Sequence, residues 1–158
     1  MKTLFAFTFL LVFFSCANDN NTASASTGTS TAKNENAATS SAIDGFYEGP
    51  FTNGMKETFI SFQVFNNGTE LKDLTFKGYW RCDGKLELTK MGPEGKFAIV
   101  NGKVKAHITQ PEGGGATATR FELLANFSGN SAEGHFRMNI NALNCDTYNL
   151  NWKANKVN

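Results

Sequence analysis

The sequence predicts an all-β domain, an antiparallel β-sandwich or jelly-roll-like barrel of about eight strands. Three observations predict it. Apolar and polar residues alternate with period two in five runs, turn-forming glycines separate the runs, and no stretch sustains a 3.6-residue period. The first run is Phe59 to Phe65, with Ile60, Phe62 and Val64 on one face. Val104, Ala106 and Ile108 then alternate with lysines, His107 and Thr109, and Phe121, Leu123, Ala125 and Phe127 repeat the pattern. Phe136, Met138 and Ile140 form the fourth apolar stripe, and Tyr148, Leu150 and Trp152 the fifth. Half-buried antiparallel strands produce this alternation, because successive side chains point to opposite faces of a sheet. Between the runs stand Asn53-Gly54, Asn67-Gly68, Asp83-Gly84, Asn101-Gly102, Gly113-Gly114-Gly115 and Gly129-Asn130. Such pairs suit the positive-φ positions of tight hairpins.

Composition narrows the function classes. The chain has 158 residues, room for one domain, and is 13% aromatic with fifteen phenylalanines. Fifteen Lys and Arg against fourteen Asp and Glu leave a net charge of +1, with no basic surplus for a dedicated nucleic-acid binder. Three cysteines and two histidines are too few for most metal or redox frameworks, so no cofactor is expected. Multidomain enzymes, dinucleotide domains and polytopic membrane proteins are excluded by the same arithmetic.

The N-terminus carries an address. Met1-Lys2 is followed by an apolar stretch from Leu4 to Phe14, interrupted only by Thr8. At roughly 16 Å as a helix it falls short of the ~30 Å bilayer core, but it suits the apolar region of a secretory signal. It ends at Ser15-Cys16, after which the chain turns polar. This arrangement resembles a bacterial lipoprotein signal, with Phe13 and Phe14 in a relaxed version of the usual upstream residues. The resemblance implies that residues 1–15 are removed, that Cys16 is acylated, and that membrane lipid is a partner through it. Ala17 in place of Asp then favours the outer membrane, within the cell envelope. The alternative is an ordinary signal peptide cut near Ala17, giving a secreted protein.

Residues 16–42 comprise that cysteine and a spacer of Asn, Ser, Thr and Ala whose only charges are Asp19, Lys33 and Glu35. Such a segment cannot bury enough surface to offset the entropy of ordering it. As a coil, residues 17–42 reach about 28 Å. Residues 43–158 form the β domain.

With Cys16 acylated, Cys82 and Cys145 remain as an even pair in an oxidising compartment, which predicts a structural disulfide. The alternative, redox or metal thiolates, lacks a Cys-x-x-Cys motif or a neighbouring histidine. His107 and His135 occupy polar-facing positions of separate strands, and no nucleophile elbow, His-Glu-x-x-His or phosphate loop occurs. Glu48, Glu57 and Asp146 could serve a hydrolase, but nothing in their local sequence singles them out. Tyr79 and Arg81 carry the candidate ligand-binding role. Phe76, Trp80 and Cys82 share one parity and face the core, leaving Tyr79 and Arg81 on the opposite face, where rings stack on sugars and guanidinium groups bond hydroxyls.

Two further resemblances bear on the domain. Gly45-Phe46-Tyr47-Glu48-Gly49, Arg81-Cys82, Ala132-Glu133-Gly134-His135-Phe136-Arg137, Cys145 and Trp152-Lys153-Ala154 are similar to the layout of small secreted bacterial domains, which carry no assigned activity. Gly45-Phe46-Tyr47 also resembles the lipocalin opening Gly-x-Trp, with Tyr in place of Trp. The first expectation is therefore a non-enzymatic, membrane-anchored binding or scaffolding module with a glycan or envelope protein as partner, and no nucleic acid. The alternatives are a lipocalin-like carrier of an apolar ligand and a carbohydrate-active hydrolase.

Overall fold

Alternation in the sequence becomes strand pairing in space. The structure, a computed structural model, describes residues 42–157; the signal-like stretch, Cys16 and the spacer through residue 41 lie outside them. Ten strands follow in order: β1 (Gly45–Gly49), β2 (Phe59–Phe65), β3 (Glu70–Cys82), β4 (Lys85–Met91), β5 (Lys96–Ala98), β6 (Lys103–Gln110), β7 (Thr119–Ser128), β8 (Ser131–Ile140), β9 (Cys145–Asp146) and β10 (Leu150–Val157). A single 3-10 turn, Asn141–Leu143, is the only helical element among the described residues.

Every strand pairing is antiparallel. Six strands close a barrel in the order β10–β1–β2–β3–β9–β8, and β8 returns to β10. Four strands lie outside this ring. β4 and β5 share the far edge of the long β3, while β7 pairs the far edge of β8 and β6 extends β7. The all-β, antiparallel expectation thus holds, with ten strands where about eight were expected. The two extra strands, β5 and β9, have three and two residues, too few to display alternation.

The turn chemistry is as the dipeptides demand. Asp83 and Gly84 take φ of 45° and 78° between β3 and β4, and Asn101 and Gly102 take 51° and 69° between β5 and β6. Both are two-residue turns of left-handed residues, the second closed by the bridge between Val100 and Lys103, and their twist matches that of the flanking strands.

Inward-facing stripes make the core. Ile60, Phe62 and Val64 on β2, Phe121, Leu123, Ala125 and Phe127 on β7, Phe136 and Met138 on β8, and Leu150 and Trp152 on β10 are all buried. Phe76 stacks on Phe136 across the interior with ring centroids 5.1 Å apart, Phe62 stacks on Tyr47 at 5.4 Å, and Trp152 meets Phe62 edge-on at 5.7 Å. Aromatic pairs in these geometries add to the value of the area they bury. Side chains fill the middle of the ring.

Two stripes depart from simple alternation. On β3 the buried residues are Leu71, Leu74 and Phe76, because a bulge at Asp73 (φ 53°) against Ser61–Gln63 of β2 re-phases the strand. The fifth stripe is shorter than the sequence suggests. Tyr148 is not a core residue: it has φ 54°, is 61% exposed, and precedes the start of β10 at Leu150. Trp80, expected in the core, is half-buried and packs against its rim.

Candidate functional site

β9 is the shortest strand of the ring, yet it positions a polar part of the outer face. Cys145 pairs with Cys82, and the disulfide Cys82–Cys145 joins the same two residues. The pairing closes a loop of 63 residues, for which chain entropy alone assigns about 4 kcal/mol. Beyond β9 the chain hooks onto β8 again: the amide of Thr147 donates to the Met138 carbonyl at 2.9 Å, and the Thr147 hydroxyl accepts from the Met138 amide at 2.8 Å.

Asp146, one residue after the disulfide, points outward. Nε and Nη2 of Arg137 donate to its two carboxylate oxygens at 3.1 and 2.6 Å, and the Tyr148 amide donates to Oδ1 at 2.7 Å. Partial burial pushes the Asp146 carboxyl up. The Arg137 hydrogen bonds, the Tyr148 amide and the Arg137 charge together outweigh burial and hold it below the usual carboxylate range. The same hydrogen bond raises Arg137 further against its own desolvation. A carboxylate held ionised with both oxygens engaged is a poor proton donor.

Beside Asp146 lies a polar hollow of about 410 Å³, lined by Asn139, Asn141, Asn144, Asp146 and Tyr148 together with Ile140 and Cys145. Arg81 of β3, exposed, is the register partner of Asp146 on its other side, so it stands beside Asp146 on the outer face without lining the hollow. Its guanidinium donates to the Gly84 carbonyl at 3.3 Å and makes no ion pair among the described residues. Tyr79, two residues earlier on the same face, is half-buried and sits opposite the exposed Leu88 of β4. The parity argument therefore puts Tyr79 and Arg81 on the outer face, and the structure adds what borders them.

The other sequence candidates are dispersed. His107 is exposed on β6, and His135 is half-buried on β8 between Leu124 and Asn151. Among the described residues no group of three His, Cys, Asp or Glu side chains is placed to hold a metal ion. Glu48 is exposed on β1, and Glu57, in the connection that follows, reaches Lys77 at 3.8 Å. Asp146 lies on β9, which pairs neither β1 nor β2.

Sequence reasoning missed Tyr148 and the three asparagines. The signal for Tyr148 was local: Asp146 two residues earlier is suited to accept from its amide, a turn that stops a strand. The asparagines at 139, 141 and 144 are dense in the sequence, but only the 3-10 turn, with Asn144 left-handed at φ 48°, gathers them on one side. In comparisons with models of protein families, with curated proteins and with solved structures, the chain matches none.

Proposed function

We propose that this chain is a bacterial envelope lipoprotein, acylated at Cys16, whose spacer carries a non-enzymatic β domain that binds carbohydrate on its outer face. One observation carries the binding half: Asp146, whose register partner is Arg81, lines a hollow together with three asparagines and an exposed tyrosine. Amide and guanidinium donors with a free ring are the equipment of a sugar-binding surface, since rings cover the apolar faces of sugars and amides bond their hydroxyls. The filled ring interior favours such a surface over the carrier alternative. Asp146, ionised and doubly engaged, gives the hydrolase alternative little support.

The anchoring half rests on Ser15-Cys16 after the apolar stretch, and on the disulfide, which suits an oxidising compartment. The sandwich form belongs to the same reading. The face-to-face stack of Phe76 from β3 on Phe136 from β8, with β4–β5 and β7–β6 extending each side, supports two packed layers.

Two experiments test the halves separately. Metabolic labelling with palmitate should mark the wild-type chain and not Cys16→Ala; equal labelling of both sinks the anchor. A glycan panel read by thermal shift should give one responding class, and that response should be lost in Tyr148→Ala and Arg81→Ala. Ligand at 100 times its Kd should add about 2.7 kcal/mol. A panel that is silent, or a response untouched by both variants, removes the site.

A further inference from the structure

The sheet has a seam. β6 pairs β7 along one edge, and β5 pairs β3 along one edge, so the opposite edges of β6 and β5 face each other with no strand ladder between them. They are joined only at the hairpin, where Val100 and Lys103 exchange two backbone hydrogen bonds of 2.8 and 3.0 Å. At the far end a single side chain crosses the gap: Gln110 Nε2 donates to the Glu94 carbonyl at 3.4 Å.

Because Lys103 bonds toward the seam, alternation turns the backbone N–H and C=O groups of Lys105, His107 and Thr109 the same way. No strand among the described residues takes them up. Two hollows, of about 440 and 570 Å³, run along this edge, one beside Phe97 and Ala106, the other beside Ile108 and Glu94. Of the partly buried apolar residues at the core's margin, Phe97, Ala106 and Ile108 belong to the strands on either side of the seam.

We propose that the seam accepts an extended segment of a partner protein as an added strand, with acidic residues on its outward face and small apolar residues on its inward face. Charge selects that occupant. The outward side chains at the hairpin end of the seam include Lys96, Lys103 and Lys105, all exposed; Lys96 lies 3.7 Å from Glu70 and 5.0 Å above the Phe65 ring, while Glu94 and Glu112 line the hollow at the far end. A second copy is disfavoured, because pairing two β6 edges would gather Lys103 and Lys105 of both copies on one outward face, where neighbouring like charges are destabilising. Edge lysines commonly guard against self-association. Here the same lysines repel copies of the chain and attract a strand of opposite sign. The inward residues of that strand would cover Ala106, Ile108 and Phe97, and its backbone would satisfy the unpaired β6 groups. This surface lies on strands other than β8–β9 and does not depend on acylation or on sugar binding.

The test uses the full-length, disulfide-intact protein and two end-blocked octapeptides, one alternating valine with glutamate and one alternating valine with lysine. The acidic peptide should bind at least about tenfold more tightly and should slow hydrogen exchange at the amides of Lys105, His107 and Thr109. The double variant Lys103→Glu, Lys105→Glu, its fold checked by near-ultraviolet circular dichroism, should invert the preference. His107→Pro removes one seam-facing donor while leaving the β6–β7 ladder intact, and should weaken both peptides. Equal binding of the two peptides, or binding without protection of those three amides, overturns the proposal. So does displacement of the acidic peptide by polyphosphate with no protected amide, which would leave only a charged surface. Protection that rises with protein concentration in the absence of peptide would show self-pairing and overturn it too.

Discussion

The guanidinium of Arg137 holds both carboxylate oxygens of Asp146, joining β8 to β9 on the outer face one residue beyond the disulfide. Two-point pairing of this kind fixes orientation as well as charge. Arg137 is itself 37% exposed, so solvent screening reduces the pair's value to roughly 1 kcal/mol.

A pH dependence follows from the depressed carboxyl. The folded pKa of Asp146 lies below its unfolded value of about 3.9, so its contribution is complete above that value. It is lost as pH falls below about 4 and through the folded pKa, because the unfolded chain then binds the proton first. Urea midpoints of wild type and Asp146→Asn should therefore differ at pH 7 and draw together as the pH falls below the unfolded value and through the folded one. A gap that stays constant across this range would mean that the pair contributes nothing through ionisation.

Tyr47 predicts a second effect. Its ring is fully buried, and its hydroxyl donates toward the carbonyls of Ile43 at 2.9 Å and Gly129 at 3.1 Å, while accepting from the Ile43 amide at 3.4 Å. The contact ties the entry of the domain to the β7–β8 turn, where Ala42 also bridges Gly129. Burial is the main reason the phenol is pushed up. Tyr47→Phe keeps the stack on Phe62 and the edge contact with Phe127 but strands these backbone groups. It should cost about 1–3 kcal/mol by thermal denaturation, with faster hydrogen exchange around residues 43 and 129. A neutral substitution would show that water satisfies those groups.

Removing the disulfide is the largest single change to the denatured state. Cys82→Ala with Cys145→Ala should lower stability by about 2–4 kcal/mol, and the wild-type protein should show no thiol from either residue under non-reducing conditions. Two reactive thiols in the wild type would contradict the bond. Because β9 touches β3 only at Arg81 and Cys82, the variant should also loosen the polar hollow before the rest of the ring opens.

How much of this was legible from the sequence follows from the range of each interaction. Alternation of Ile60 with Ser61 or of Met138 with Arg137 is local and survives in the sequence, so the all-β class and most strands could be read directly. Closure of the ring could not, because it depends on Cys145–Asp146, two residues whose pairing is set by partners 63 residues away. The outward position of Tyr79 and Arg81 followed from parity. Tyr148 was misplaced because period two was carried across Asp146, where a side chain to backbone hydrogen bond ends the strand. The bulge at Asp73 left no apolar signal either, since it shifts a phase without changing composition.

Gly134 shows a further constraint that periodicity hides. It occupies an inward position of β8 between Ala125 of β7 and Trp152 of β10, where alternation asks for an apolar side chain. A Cβ there would lie 1.8 Å from the Leu124 carbonyl oxygen and 3.0 Å from the Ala125 Cα, both backbone atoms of the adjacent strand. Backbone cannot swing aside as a side chain can, so Gly134→Ala must separate β7 from β8 or twist β8. We expect a loss above about 3 kcal/mol, in the range of strained or overpacked core substitutions, with weakened β7–β8 amide protection. Gly54→Ala is the matched control: a Cβ there meets nothing within 4 Å, and only its φ of 74° opposes the change. That strain should cost about 1–2 kcal/mol. If the two variants unfold at the same temperature, close approach of β7 to β8 is not what requires glycine at 134.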